Sequence, residues 1–516
     1  MLKFLYVLLL PGSLAAQLLD GTGSDRITDL AVTPMHTVVC GYQTDAAQLN
    51  GTAVATFGND DATLTLTDET GTVLHHLVLG GALDDQSEGI TTDTDGNIYW
   101  TGTYRGTATL GSLTLTDPTN QKAVFVLKIS PAAEVLWVQT IRGDGFKILE
   151  ELAWHPDGGL VAVGSFSETI LLDNGDTHTA NAARDALLLR FDAPTGALLE
   201  TAQLGDAGTF NTRSVVATPD GTYHFAGDFN GTAILDNQTV QTGTGGTDVF
   251  YATHTPGAGI DHLAALSGNQ SALLSEIVAD PAGNVYLGGA FFGTLHTEDG
   301  FSIGTTSFNN DGWLLRRNAD GSTAWLTALG GGAAETIRAL AFDQGRLFAG
   351  GIFSESFTAN GLQFSPAGGT TTGYVARFDP LTGQPERLER FGSAELTFVF
   401  ALAAAEGAPP VVGGQFSGTL NIGGQSFGPA LGFAGFWRHL DDPLVPTTTV
   451  PRRDFQIFPN PAETVLFFSE STDYVLFDAT GRQFRAGTGR RVSVGALPSG
   501  VYVLRTPFGA QRFVRR

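Results

Sequence analysis

The chain has 516 residues, enough for one large domain and a smaller one. Hydrophobic residues at 42% against 16% charged ones exclude a disordered chain. A formal charge of −24 argues against a nucleic-acid partner, which needs a concentrated basic surface.

The N-terminus, "MLKFLYVLLLPGSLAAQ", has a lysine, a short apolar run and small residues at Ser13, Ala15 and Ala16. Residues 1–16 read as a secretory signal peptide, too short for a stable membrane helix. No cysteine follows it at once, which speaks against a lipid anchor. No later segment offers about 18 uninterrupted apolar residues, so no transmembrane segment is expected in the mature chain. The one cysteine, Cys40, sits in the apolar stretch "TVVCG". It permits no internal disulfide or thiolate metal site and reads as a buried, inert thiol.

From residue 17 to 441 the chain repeats itself. One glycine series marks a turn: Gly96, Gly158, Gly221, Gly283, Gly345 and Gly407. A second follows an apolar run: Gly41, Gly102, Gly164, Gly227, Gly289, Gly351 and Gly414, with an aromatic two residues later in six of the seven copies. The period is about 62 residues. With 67 glycines, frequent threonine and few apolar residues at helical spacing, each unit reads as four short antiparallel strands. Stretches such as "GTATLGSLTLT" add a possible hairpin. Such units arranged radially make an all-β propeller of seven blades. The last unit lacks a fourth strand, while "QLLDGTG" at Gln17–Gly23 resembles "TALGGGA"; the mature N-terminal strand is expected to close the ring.

The pattern "G-N-x-Y-x-x-G-x-F-x-G-T … D-x-[FWY]-x-x-[KR] … G-x-x-x-W" resembles the seven-bladed propeller repeat of secreted bacterial proteins. Asn97, Tyr99, Lys128 and Trp137 carry it in the second unit, and Asn284, Tyr286, Asp311, Trp313 and Trp325 in the fifth. The resemblance implies the fold and leaves the activity open.

Ligands of propellers sit where the innermost strands begin, at the channel mouth. Alignment on the turn glycines gives one ring of Thr28, Glu88, Glu150, Arg213, Ser275, Arg338 and Val399. A second holds Asp29, Gly89, Glu151, Ser214, Glu276, Ala339 and Phe400. Glu88, Glu150, Glu151 and Glu276 are candidate general acids or bases, and Arg213 and Arg338 candidate ligand contacts. The plainer reading is a set of solvated strand ends that partly neutralise one another. "DTDGN", Asp93–Asn97, has the alternating oxygens of a calcium loop. Its counterparts "HPDGG" and "DPAGN" keep the turn and lose the ligands, so a β-turn explains it better and no metal site or cofactor is assigned. His75 and His76 adjoin in a strand and point to opposite faces. His155 sits at a turn. Trp100 and Trp154 depart from the repeat and are either sugar platforms or core. No HExxH, GxSxG, phosphate-binding loop or dinucleotide fingerprint occurs.

A Pro/Thr-rich linker spans 442–454, and composition then changes. Residues 452–516 carry ten Arg against five acids, net +5, which leaves 18 basic and 47 acidic residues, net −29, for 1–451. Residues 455–516 read as a small β-sandwich of alternating strands. Pro459-Asn460-Pro461, Asp478 with Gly481-Arg482, Leu497 with Gly500-Val501-Tyr502, and the basic end Arg512, Arg515 and Arg516 resemble the C-terminal sorting domain of the type IX secretion system of Bacteroidota. That resemblance implies export by this machinery and release or attachment at the cell surface, with removal of the tail. The expected function is a secreted or cell-surface propeller that binds a glycan, a polymer or a protein without catalysis, or serves as a scaffold. The alternative is an extracellular hydrolase or lyase using channel-mouth carboxylates.

Overall fold

In sequence, the second to fourth units follow a polar-edged strand with Asp-Gly and the fifth with Pro-Ala-Gly, and each then runs into apolar segments. In the computed structural model, residues 16–440 and 457–516 are described, apart from 34–35, 69, 156–158, 236–237, 244–245, 306, 367–370, 394, 406–409, 423–424, 479–482 and 507–508. Residues 1–15 of the expected signal peptide, the 442–454 linker, Gly481 and Arg482 lie outside them. The chain divides into Met1–Leu444 and Val445–Arg516. All described regular structure is β.

The fifth unit shows the plan. Ser271–Ala279, Val285–Phe292, Asp311–Arg317 and Thr323–Leu329 pair in that order, all antiparallel. The first strands of successive units, Arg26–Val32, Gln86–Thr92, Lys147–His155, Ala207–Ala217, Ser271–Ala279, Glu335–Asp343 and Thr397–Ala403, lie each beside the next, and the last lies beside the first. The expected hairpins exist and have a job. Thr107–Leu110 and Leu113–Thr116 pair with each other and extend onto Gly80 and Gly81 at the end of the preceding unit's outer strand. Thr169–Leu172 does the same to Ile141–Gly143, so the outer edge is covered where it is longest. Gln17–Asp20 lies against Gln425–His439, with Leu18 opposite Phe436 and Leu19 opposite Gly435, and takes Gln48–Leu49 on its other side.

The glycine series at Gly41 to Gly414 has one physical cause. In all seven units the register between first and second strand slips by one residue, between Ile27 and Asp29 and at the six equivalent places. Opposite each bulge the glycine faces a carbonyl: a Cβ would stand 2.0 Å from Arg26 O at Gly41, 1.9 Å from Ile148 O at Gly164 and 2.0 Å from Leu273 O at Gly289. Only glycine lets the bulged strand come that close. Gly289→Ala should cost roughly 1–3 kcal/mol by overpacking, read as a lower denaturation midpoint. An alanine variant as stable as the parent would contradict this reading of the series.

The family-like motif is a lock between units. Asp93 accepts from Asn97 N, the Asn97 amide and Tyr99 OH, and pairs with Lys128 at 3.4 Å. Lys128 and the Trp137 indole both donate to Ala193 O, in the next unit's turn. The fifth unit repeats this with Asp280, Asn284, Tyr286, Arg316, Trp325 and Pro380 O. Trp100, expected as a platform or core, is core: it is fully buried, donates to Ser87 Oγ and stacks edge-on with Phe125. Trp154 packs against the third unit's apolar cluster. Cys40 is buried, and burial pushes its thiol well up.

In Val445–Arg516, strand Val465–Asp478 pairs with Ile457–Phe458, Gln483–Ser493 and Gly500–Thr506, and the last of these pairs with Gly509–Arg515. Leu466, Phe468, Leu476, Val492, Leu504 and Phe513 fill its core. The motif residues hold the C-terminal strand. Asn460 Oδ1 accepts from Val514 N, Ala462 and Val514 share a backbone bond, and Arg515 donates to Val494 O and Gly495 O. Tyr502 OH donates to Pro498 O. The short segment Pro459-Asn460-Pro461 is exposed.

Candidate functional site

A bulge turns one residue of each innermost strand out of the ladder. The extra residues are Thr28, Glu88, Glu150, Arg213, Ser275, Arg338 and Phe400. All seven line a recess of about 290 Å³. The first ring expected from the sequence therefore meets there except at its last place. Val399 is fully buried in core, and Phe400 takes its position. The reason is spacing: as in the sixth unit, one residue fewer separates bulge from turn glycine in the seventh. From the second ring, Asp29, Glu151 and Glu276 reach the recess, with Ala401 where Phe400 was expected, while Gly89, Ser214 and Ala339 are not in its wall.

Second-ring side chains mend the ladder the bulge breaks. Asp29 accepts from Leu30 N at 2.6 Å and, across the unit boundary, from Ile90 N at 2.7 Å. Glu276 accepts from Leu340 N of the next unit at 2.8 Å, and Ser214 Oγ from Ile277 N at 3.1 Å. Glu151 accepts from Leu152 N. Each of these amides belongs to the residue two places after a bulge.

Charge in the recess is set by burial. Burial raises the Asp29 carboxyl to about 7. Burial, then the nearby Asp29, holds Glu276 well above the usual range, and Glu151 is raised by burial and by both of those acids. Glu88 is pushed up to about 8, by burial first and then by Glu150, against the pull of Lys122, Arg26 and Arg213. Burial also raises Glu150, although Arg213 opposes it. Arg213 is held at 3.3 Å by Glu150 and at 3.1 Å by Asp228, whose charges outweigh its own burial. At neutral pH Glu88, Glu151 and Glu276 are therefore largely uncharged and can donate as well as accept, while Glu150 stays paired with Arg213.

Arg26 and Phe400 complete the wall. The Arg26 guanidinium lies 4.0 Å above the Phe400 ring centroid and that of Arg338 lies 5.3 Å from it, while Phe398 stacks on Phe400. Sequence reasoning missed Arg26 because it stands two residues before the bulge. The signal was strand alternation: residues two apart share a face, so Arg26 lies on the side of Thr28.

Asp93 does not offer a calcium loop's free oxygens, since both are taken by hydrogen bonds. Among the described residues no group of three or more His, Cys, Asp or Glu is placed to hold a metal ion. His76 points inward, bonded to Thr65 and Gln43. A further recess of about 530 Å³ lies at the turns of the fourth and fifth units, beside His224, Tyr251 and His262. His224 uses both ring nitrogens on Thr218 and Tyr251.

Among family models, a β-propeller repeat matches residues 76–103, from the outer strand of the first unit to the second strand of the next. No curated protein matches the chain. Solved structures that resemble it include the quinohemoprotein alcohol dehydrogenase ADHIIG of Pseudomonas putida HK5, at 11% identity over 88% of this chain and 79% of that one, TM-score 0.39. The Dos1 propeller aligns at 10% identity over 81% and 92%, TM-score 0.41. Sqt1 of Chaetomium thermophilum aligns at 13% over 98% and 99%, TM-score 0.36. Likenesses this loose carry no activity across. The chain is an all-β protein built of propeller repeats, and no helix among its described residues is long and apolar enough to cross a membrane.

Proposed function

We propose that the chain is a secreted or cell-surface propeller of seven blades, closed by the strand after its signal peptide, that binds a glycan, polymer or protein at the recess where the bulges converge. The cyclic order of first strands and the pairing of Gln17–Asp20 with Gln425–His439 support the closed ring. The separate, Arg-rich Val445–Arg516 unit fits a small sandwich that directs export by type IX secretion.

One observation carries the preference for binding over chemistry. Of the four nominated carboxylates, Glu151 and Glu276 each hold a backbone amide and Glu150 holds Arg213, so they are committed to structure. General acid and base work needs two carboxyl groups free to exchange protons with substrate. Glu88 alone favours the second reading, an extracellular hydrolase or lyase, because its carboxyl titrates at about 8 and suits a proton donor.

Protein taken from culture supernatant tests both parts. Mass spectrometry should find a C-terminus lacking residues 455–516, and a glycan and polysaccharide array should show retention without product. Intact tails inside the cell would refute the export reading. Turnover abolished by Glu88→Gln would replace binding by the hydrolase or lyase reading, and turnover that survives Glu88→Gln and Glu150→Gln would dismiss both carboxylates.

A further inference from the structure

Among the described residues, buried Lys128, Arg317 and Arg438 are matched by Asp93, Glu298 and Glu389, and the more exposed Arg213 by Glu150 and Asp228. Arg26 and Arg338 stand apart. Both line the recess and both lie against Phe400, so their guanidinium carbons are no farther apart than the two ring distances together. Among the described residues neither forms an ion pair, and the Nε of each is buried without a hydrogen-bond partner. Burial first and then the charge of Arg26 push the Arg338 guanidinium down; two partly desolvated like charges that act on each other without an ion pair are costly unless an anion completes them. Their neighbours among the described residues do not supply it: no carboxylate lies within ion-pair distance of either, Glu150 is taken by Arg213, and burial raises Glu88, Glu151 and Glu276.

Accepting that the recess is a ligand site, we infer that it selects an acidic sugar: the carboxylate of a hexuronate residue seats between Arg26 and Arg338 beside Phe400, while Glu88 and Ser275 meet its hydroxyl groups. A planar carboxylate matches the forked donors of guanidinium. A single negative charge fits better than the double charge of phosphate, since Asp29, Glu151 and Glu276 sit behind it and would be driven further from ionisation. The volume, about 290 Å³, is at the small end for ligand cavities and suits one sugar residue, such as a chain end, rather than a long polymer lying across the mouth.

Titration calorimetry of the full mature chain tests this, with galacturonate, galactose and inorganic phosphate as probes at pH 6 and pH 9. Galacturonate should bind at pH 6 at least about tenfold more tightly than galactose or phosphate, as expected for charge-assisted bonds. Binding should weaken at pH 9, where Glu88 ionises against the ligand. Arg26→Gln with Arg338→Gln should cost galacturonate at least about tenfold, and Arg338→Lys should keep part of it, with melting temperatures near the parent's.

Galactose binding as tight as galacturonate overturns the inference and leaves the recess a binding site. Phosphate binding more tightly than galacturonate, an unchanged affinity in the double variant, or no binding of galacturonate also overturns it. If the double variant does not fold, the parent's order of affinities and its change between the two pH values still decide.

Discussion

A chain that starts at Ser24 should melt about 4–7 °C below one that starts at Gln17, with a loss of roughly 4–6 kcal/mol. The Leu19 side chain is 2% exposed and sits with Ile27, Val411 and Trp437 in one cluster, where its burial contributes about 2–3 kcal/mol. The rest comes from backbone pairing. Gln17, Leu18 and Leu19 lie opposite Trp437, Phe436 and Gly435, and Leu18 N donates to Asn50 Oδ1, each such bond being worth about 1 kcal/mol net. Deletion would also bare the Gln425–His439 edge and free the Gln48–Leu49 hairpin that pairs on Gln17–Asp20. Differential scanning calorimetry of the two chains is the measurement. Equal melting temperatures would remove the N-terminal strand from the stability of the fold, and with it the proposed closure by the two chain ends.

Stability should also fall as pH rises from 6.5 to 8.5, by several kcal/mol. A carboxyl whose folded value is raised contributes stability that is complete below its unfolded value and is lost as pH climbs through the folded one. Glu88, at about 8 in the fold, accounts for about 2 kcal/mol of loss over that interval, taking about 1.4 kcal/mol per tenfold change in acidity. Glu151 and Glu276, held higher, lose stability in the same direction. The window starts at 6.5 for a reason. Burial lowers His76 and His224 to about 4, so their contribution is complete above the ordinary histidine value and is lost as pH falls below it, opposing the acids there. Two histidines offset only part of what Glu88, Glu151 and Glu276 lose, so the optimum is expected below pH 6.5 and the alkaline side shows the acids alone. Thermal melts from pH 5 to pH 9 should show it, and Glu276→Gln, which keeps an acceptor for Leu340 N, should flatten the alkaline side. Melting temperatures that climb from pH 6.5 to 8.5 would contradict the buried-acid account.

Much of the architecture is legible in the residues because repetition multiplies weak local signals. The turn glycines and the strand glycines keep step over seven copies, and the second and third strands of each unit occupy the apolar runs that follow them. The hairpin suggested by "GTATLGSLTLT" is present, although its partner, the outer strand of the preceding unit, is a neighbour in space that no local pattern marks. Trp100 is less legible. An aromatic that breaks the repeat suits an exposed platform and a core equally well, and only the Ser87 hydroxyl waiting inside decides between them.

By itself the sequence determined the period, the strand character of each segment and the position of the polar residues in the unit, since these depend on local chemistry and on glycines no other residue can replace. Tertiary structure decided which of those polar residues meet. One slipped residue opposite Gly414 brings Phe400 to the recess and leaves Val399 in the core, and Arg26, two residues before the slip at Thr28, joins it there. Units packed around them leave Asp29, Glu151 and Glu276 half-buried and within electrostatic reach of one another, and the cost of charge away from water, which depends on neighbours up to hundreds of residues distant, sets what each acid can do.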